Sequence, residues 1–134
     1  MPMDFKFAVK EIFKDLPIAP PVGSIWAAPN KIWDNAFARN QKPKNLHPAI
    51  VAEIKPCNTI ITILPGTTRD HNNQRCAYEV NLQKAQKKSY FLFALAMPYS
   101  KDNLLTLRRG WDGIDDLNND QLKRFNLKIE MCLK

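Results

Sequence analysis

Two hydroxyls and a guanidinium stand together at residues 67–69, where an apolar run meets a Pro-Gly corner: ITILPGTTRD over 61–70. A guanidinium clamps phosphate or carboxylate oxygens, and a threonine hydroxyl can donate to the same atoms. Thr67 and Thr68 read equally as a hydroxyl-stabilised turn, and Arg69-Asp70 as a local ion pair of little weight. A second cluster lies in residues 31–44, KIWDNAFARNQKPK, which carry Lys31, Arg39, Lys42 and Lys44 against Asp34 alone. Trp33 inside it can stack on a base, a contact worth roughly 1–3 kcal/mol, or tuck its ring onto the body of the protein. Lys84, Lys87 and Lys88 make another basic spot and Arg108-Arg109 a further one, whereas WDGIDDLNND (111–120) holds four acids and no base. With a net charge of +7, this distribution fits a basic face for nucleic acid. It fits a solvated surface that keeps the chain soluble as well.

A chain of 134 residues, 45% apolar and 25% charged, suits one domain with a real core. The longest unbroken apolar run, Tyr90–Met97, falls far short of the roughly 20 residues a spanning helix needs, so no membrane partner is expected. The N-terminal stretch MPMDFKFAVKEIFKDLP spreads its charges through the segment and does not read as a secretory signal. Cys57, Cys76 and Cys132 are odd in number and widely spaced. They suggest neither a disulfide framework nor a zinc site, and a reducing cytoplasm is the expected location. With only two histidines, neither a metal nor another cofactor is expected.

The elements that would carry these groups follow from periodicity. Residues 4–16 place Phe5, Val9, Ile12, Phe13 and Leu16 at helical spacing, with Asp4 as N-cap and Pro17 as stop. PIAPP (17–21) is a stiff connector. VGSIWAA (22–28) reads as a strand, and 30–46 as a long basic loop. PAIVAEI (48–54) is a strand buried on nearly both faces, and TIITIL (59–64) returns beside it. CAYEVNL (76–82) alternates, SYFLFALAM (89–97) is the most apolar strand, and NLLTL (103–107) is a short strand or a turn of helix. Leu122, Phe125 and Ile129 share one face of a closing helix over 119–133, capped by Asn118 or Asn119. Strands dominate the middle without alternating helices. The expected class is therefore α+β, mainly β: a small, strongly curved antiparallel sheet or barrel with helices outside.

The ordered set GSIWAAP, basic loop, HPAIVAEI, TIITILPGTT, YEVNL, apolar strand and C-terminal helix resembles the MazF/PemK family of toxin endoribonucleases over residues 22–133. The resemblance implies an SH3-like β-barrel at 22–134, with residues 1–21 added as an N-terminal helix and connector. It further implies cleavage of single-stranded RNA without a metal, a homodimer, and a cognate antitoxin that lies in the RNA groove. The family's catalytic pair is an Arg directly before the Pro-Ala-Val strand and the first Thr after Pro-x. Thr67 matches the second position; the first is His47 here. A second departure is FALAMPYS, where the family has an Asp-Gln pair.

Metal-free RNA cleavage needs a 2′-OH deprotonated, a charged phosphorane stabilised and a 5′-oxygen protonated. An imidazole titrates near pH 6.5 and is a good acid or base at neutrality, whereas a guanidinium is a poor base but a good clamp. His47, standing where the family has Arg, is on this chemistry expected to carry proton transfer, with Arg69 supplying the missing positive charge and Thr67 a phosphate contact or proton relay. Lys31, Trp33, Arg39, Lys42, Lys44 and Thr68 are the matching RNA-binding set. The competing reading is a relative that binds nucleic acid or a protein without cleavage, and beyond it an unrelated small barrel acting as an interaction domain.

Overall fold

Short strands, with β2–β4 at the centre apolar on both faces, build the body of the molecule. The computed structural model describes residues 6–8, 20–29, 32, 46–56, 59–67, 76–83, 86, 88–107, 115 and 117–133. Its strands are β1 (Lys6–Ala8), β2 (Ile25–Pro29), β3 (Leu46–Ile54), β4 (Ile60–Thr67), β5 (Ala77–Asn81), β6 (Lys88–Leu92), β7 (Met97–Ser100) and β8 (Leu105–Leu107), followed by helix α1 (Asn119–Cys132). They form one antiparallel sheet in the order β1-β8-β2-β3-β4-β6-β5, with β7 also on β4. The path ends at β1 and β5, which no pairing joins among the described residues. The expected closed barrel is thereby corrected to an open, mainly antiparallel sheet with a C-terminal helix. Closure requires a strand stagger carried through every pair, and the β1–β8 end has only three-residue strands to offer.

The helix expected over 4–16 is overturned at Lys6–Ala8, which pair with β8 from Lys6↔Leu107 to Ala8↔Leu105. Helical spacing there is a weak local preference, and a free sheet edge supplies hydrogen-bond partners that override it. The rest of that stretch, and nearly all of the basic loop 30–46, lie outside the described residues.

The apolar strand expected over 89–97 divides in two. From Gly66↔Phe91 to Ile63↔Met97, β4 advances three residues and its neighbour six. The three extra residues equal the 3-10 turn Phe93–Leu95 between β6 and β7. β6 and β7 are thus successive parts of one run along β4, separated by a bulge-like insertion that bends the sheet.

Alternation sorts the core into two layers. Ile25, Ile50, Leu64, Phe91, Tyr78 and Val80 face α1, where Phe125 and Ile129 complete the layer. Trp26, Ala28, Ala49, Val51, Ile61, Ile63 and Leu104 form the opposite layer. The indole N–H of Trp26 donates to Ser24 Oγ at 2.9 Å, so this buried ring keeps its polar atom paired. α1 starts in a capping box: Gln121 N donates to Asn118 Oδ1 at 2.8 Å and Asn118 N to Gln121 Oε1 at 2.9 Å. The Tyr78 hydroxyl donates to the Gln121 carbonyl at 2.7 Å, and its ring lies 5.2 Å from that of Phe125. Burying Phe125 completely contributes roughly 1.5–3 kcal/mol. Gly23, at φ 92°, lets the chain before β2 pass beneath the helix; a Cβ there would come within 2.7 Å of Leu122 Cδ1.

The cysteine expectation is corrected as well. Cys76, just before β5, and Cys132, the last residue of α1, form a disulfide with a Cα–Cα distance of 5.9 Å. Spacing along the chain, 56 residues, hid a pairing that packing α1 on the sheet creates.

Candidate functional site

β3 begins with Leu46-His47 and β4 ends with Gly66-Thr67. The two strands are antiparallel, and the pairs run Ala49↔Pro65, Ile50↔Leu64, Val51↔Ile63. Continuing this register two residues beyond Ala49↔Pro65 sets His47 opposite Thr67. Pro48 and Pro65 have no N–H to give, which thins the ladder at this end of the pair. On the other edge of β4, Thr67 pairs with Tyr90 of β6, and Tyr90 pairs with Glu79 of β5. On the far side of β3, His47 pairs with Ala28. The recorded pairs are Ala28–His47 on one side and Thr67–Tyr90–Glu79 on the other, and the β3–β4 pairing, which ends at Ala49↔Pro65, would join them into one row if its register were carried two residues further.

Directly opposed residues put their side chains on the same face, with Cβ atoms about 4.5–5.5 Å apart. Parity assigns the row to the layer of Trp26, Ala49 and Ile63, away from α1. It forms the polar border of that layer. Ala28, Thr67 and Tyr90 are buried, His47 is half-buried and Glu79 is exposed. Glu79 lies 3.9 Å from the Lys88 ammonium in an exposed ion pair. Gly66 serves the row from behind: its missing Cβ leaves room for the Phe91 ring, and a Cβ would come within 2.6 Å of Phe91 Cε1.

Burial pushes the His47 imidazole below its ordinary value of 6.5, because a half-desolvated ring disfavours its cation. At neutral pH the ring is therefore held as the neutral base. A neutral imidazole next to a threonine hydroxyl, with a phenol one strand further, can accept a proton and offer donors to a developing oxyanion.

Of the site residues singled out in the sequence, His47 and Thr67 are the two that fall among the described residues, on neighbouring strands whose recorded pairing ends at Ala49↔Pro65. Thr68 and Arg69, which follow β4 in the chain, and Lys31, Trp33, Arg39, Lys42 and Lys44 lie outside the described residues, and the corner expected at Pro65-Gly66 is corrected to strand, since β4 runs through it to Thr67. Tyr90 and Glu79 were missed. The register that pairs Glu79 with Tyr90, from Ala77↔Leu92 to Asn81↔Lys88, belongs to the β5–β6 pair and left no mark in either segment alone. Among the described residues no group of three or more His, Cys, Asp or Glu side chains gathers as metal ligands would. None of the described helices is long and apolar enough to cross a membrane.

No protein-family model matches the chain, and no curated protein matches it.

Proposed function

We propose that this chain is a metal-independent endoribonuclease for single-stranded RNA, a divergent relative of the MazF/PemK toxins. The observation that carries the reading is the β3–β4 register, whose continuation sets His47 against Thr67. His47 takes the proton from a ribose 2′-OH. The 2′-oxygen attacks phosphorus, the bond from phosphorus to the 5′-oxygen breaks, and that oxygen takes up a proton. The products are a 2′,3′-cyclic phosphate and a 5′-hydroxyl. The Thr67 hydroxyl donates to a non-bridging oxygen, and Arg69 supplies the positive charge. Lys31, Arg39, Lys42 and Lys44 track the backbone, Trp33 stacks on a base and Thr68 adds a donor. A homodimer held in check by a cognate antitoxin, acting in the cytoplasm, belongs to the same reading. The Cys76–Cys132 disulfide points instead to an oxidising compartment, so the redox state of that pair in the native protein decides the location.

The test is cleavage of a long unstructured RNA in the presence of EDTA. His47→Ala should lower the rate by about 10²–10⁴-fold, the usual contribution of a positioned acid or base, with RNA affinity retained. A variant as active as the native protein overturns the assignment.

A second reading, binding without cleavage, is favoured by one observation: Thr67 is only 9% exposed, which restricts access to its hydroxyl. In that case the native protein binds RNA with a log–log salt slope of roughly −0.7 per phosphate neutralised, and His47→Arg creates cleavage that the native chain lacks.

A further inference from the structure

Cys76 and Cys132 meet where the end of α1 reaches the start of β5, and both are only half-buried, within reach of a small thiol. Each is held in place by contacts other than the bond between them. The Cys76 carbonyl accepts from Phe93 N at 3.0 Å, and the next residue, Ala77, pairs with Leu92. Cys132 ends a helix that is docked along its length: the Tyr78 hydroxyl reaches the Gln121 carbonyl, the Phe125 ring lies against Tyr78 and Phe93, and Ile129 is buried. Breaking the bond therefore leaves the two thiols as neighbours, ready to close again.

We infer that the Cys76–Cys132 pair is a reversible modification site, opened and closed in the folded protein by exchange with a small anionic thiol of the glutathione class. Its chemistry is independent of the ribonuclease reading. A glutathione thiolate attacks Cys132 Sγ and bonds to it; the bond to Cys76 Sγ breaks, and Cys76 leaves as a thiolate that takes a proton from water. A second glutathione thiolate attacks the glutathione sulfur of this mixed disulfide, so that oxidised glutathione departs and Cys132 is left as a thiol. Two glutathione thiols are oxidised as the protein disulfide gains two electrons, and the same steps in reverse close the bond. Two features direct attack to Cys132. It sits at the C-terminal end of α1, where the helix dipole is negative and disfavours a thiolate, so Cys76 is the better leaving group. Lys128 lies one turn before Cys132 on the same side of the helix and draws an anionic thiol to it. Glu130, two residues before Cys132, lies on the opposite side, along the groove between α1 and β3. Closing the pair ties α1 to β5 covalently, and opening it leaves the non-covalent contacts alone. Resistance of the fold to unfolding therefore follows the thiol–disulfide ratio of its surroundings.

The test incubates the oxidised full chain with reduced glutathione, quenches it by alkylation and maps the peptides by mass spectrometry. Glutathione should be found on Cys132, with Cys76 alkylated. The opening rate should rise in proportion to glutathione and stay within about twofold in about 1 M urea, because the native state is the one attacked. Opening that needs global unfolding would instead speed up by at least about fivefold. Lys128→Gln, with circular dichroism confirming its helix, should slow opening by glutathione about threefold and leave opening by the neutral thiol mercaptoethanol unchanged. The reduced protein should keep its helix and re-form the Cys76–Cys132 bond in oxidised glutathione. Glutathione on Cys76 rather than Cys132 overturns the proposal. So does opening accelerated by urea as unfolding requires, an effect of Lys128→Gln no larger for glutathione than for mercaptoethanol, or a reduced chain that does not close the bond again.

Discussion

Reducing the Cys76–Cys132 bond tests how much of the stability of this fold comes from fastening α1 to the sheet. The bond closes a loop across a separation of 56 residues. In the chain-entropy account a 15-residue loop gives about 3 kcal/mol and a 100-residue loop about 4.7, which puts this one near 4 kcal/mol. That is a large part of the roughly 5–15 kcal/mol by which domains are stable. The native side should change little on reduction: Phe125 and Ile129 remain packed in the core layer, and the Tyr78 hydroxyl still reaches Gln121. The effect therefore falls on the unfolded chain, which is released to a wider ensemble. Urea denaturation with and without a phosphine reductant, followed by circular dichroism, measures it. With a slope of about 1–3 kcal/mol per molar urea, the midpoint should fall by roughly 2 M, and the slope should rise because the unlinked chain exposes more surface. Cys76→Ser combined with Cys132→Ser should match the reduced native protein and ignore the reductant. Thiol titration supplies the check on the premise: of three cysteines, the oxidised protein should present a single free thiol. Three free thiols before reduction, or a midpoint unmoved by the reductant, would refute the reasoning.

Asn118→Ala removes the acceptor for Gln121 N and should cost about 1 kcal/mol, read by thermal melting; Asn118→Asp, which keeps an acceptor oxygen, should cost much less. Gly66→Ala drives a Cβ toward the wholly buried Phe91 ring and should destabilise by about 1–3 kcal/mol, with Gly66→Ala/Phe91→Leu recovering part of the loss. His47 has its proton affinity lowered by burial, so the unfolded chain binds the proton more readily. Its contribution to stability is complete above pH 6.5 and is lost as pH falls through the lower folded value. Subtracting the profile of His47→Gln from the native one should isolate that slope, and two parallel profiles would contradict the assigned burial.

Local pattern determined much of this protein. Alternation and continuous apolar runs mark β3, β4 and β5 to within a few residues, because a strand buried on one or both faces must write that burial into its own side chains. The closing helix was equally legible: the spacing of Phe125 and Ile129 and the Asn118 cap are set within a few turns of one segment. Legibility stopped wherever a distant partner made the choice. Phe5, Val9 and Ile12 spell a helix, yet Lys6–Ala8 take the open edge of β8. SYFLFALAM reads as one strand, yet fitting alongside the whole of β4 requires a turn at Phe93–Leu95. Cys76 and Cys132 carry no sign of each other, because their 5.9 Å approach depends on where α1 settles. The candidate site divides in the same way. His47 and Thr67 were visible as residue types beside their prolines, but Tyr90 and Glu79 join the row only through the pairing of β4 with β6 and β6 with β5. Side-chain parity is a local property of a strand, whereas register belongs to the pair, and a shift of one residue would send the whole row to the opposite face.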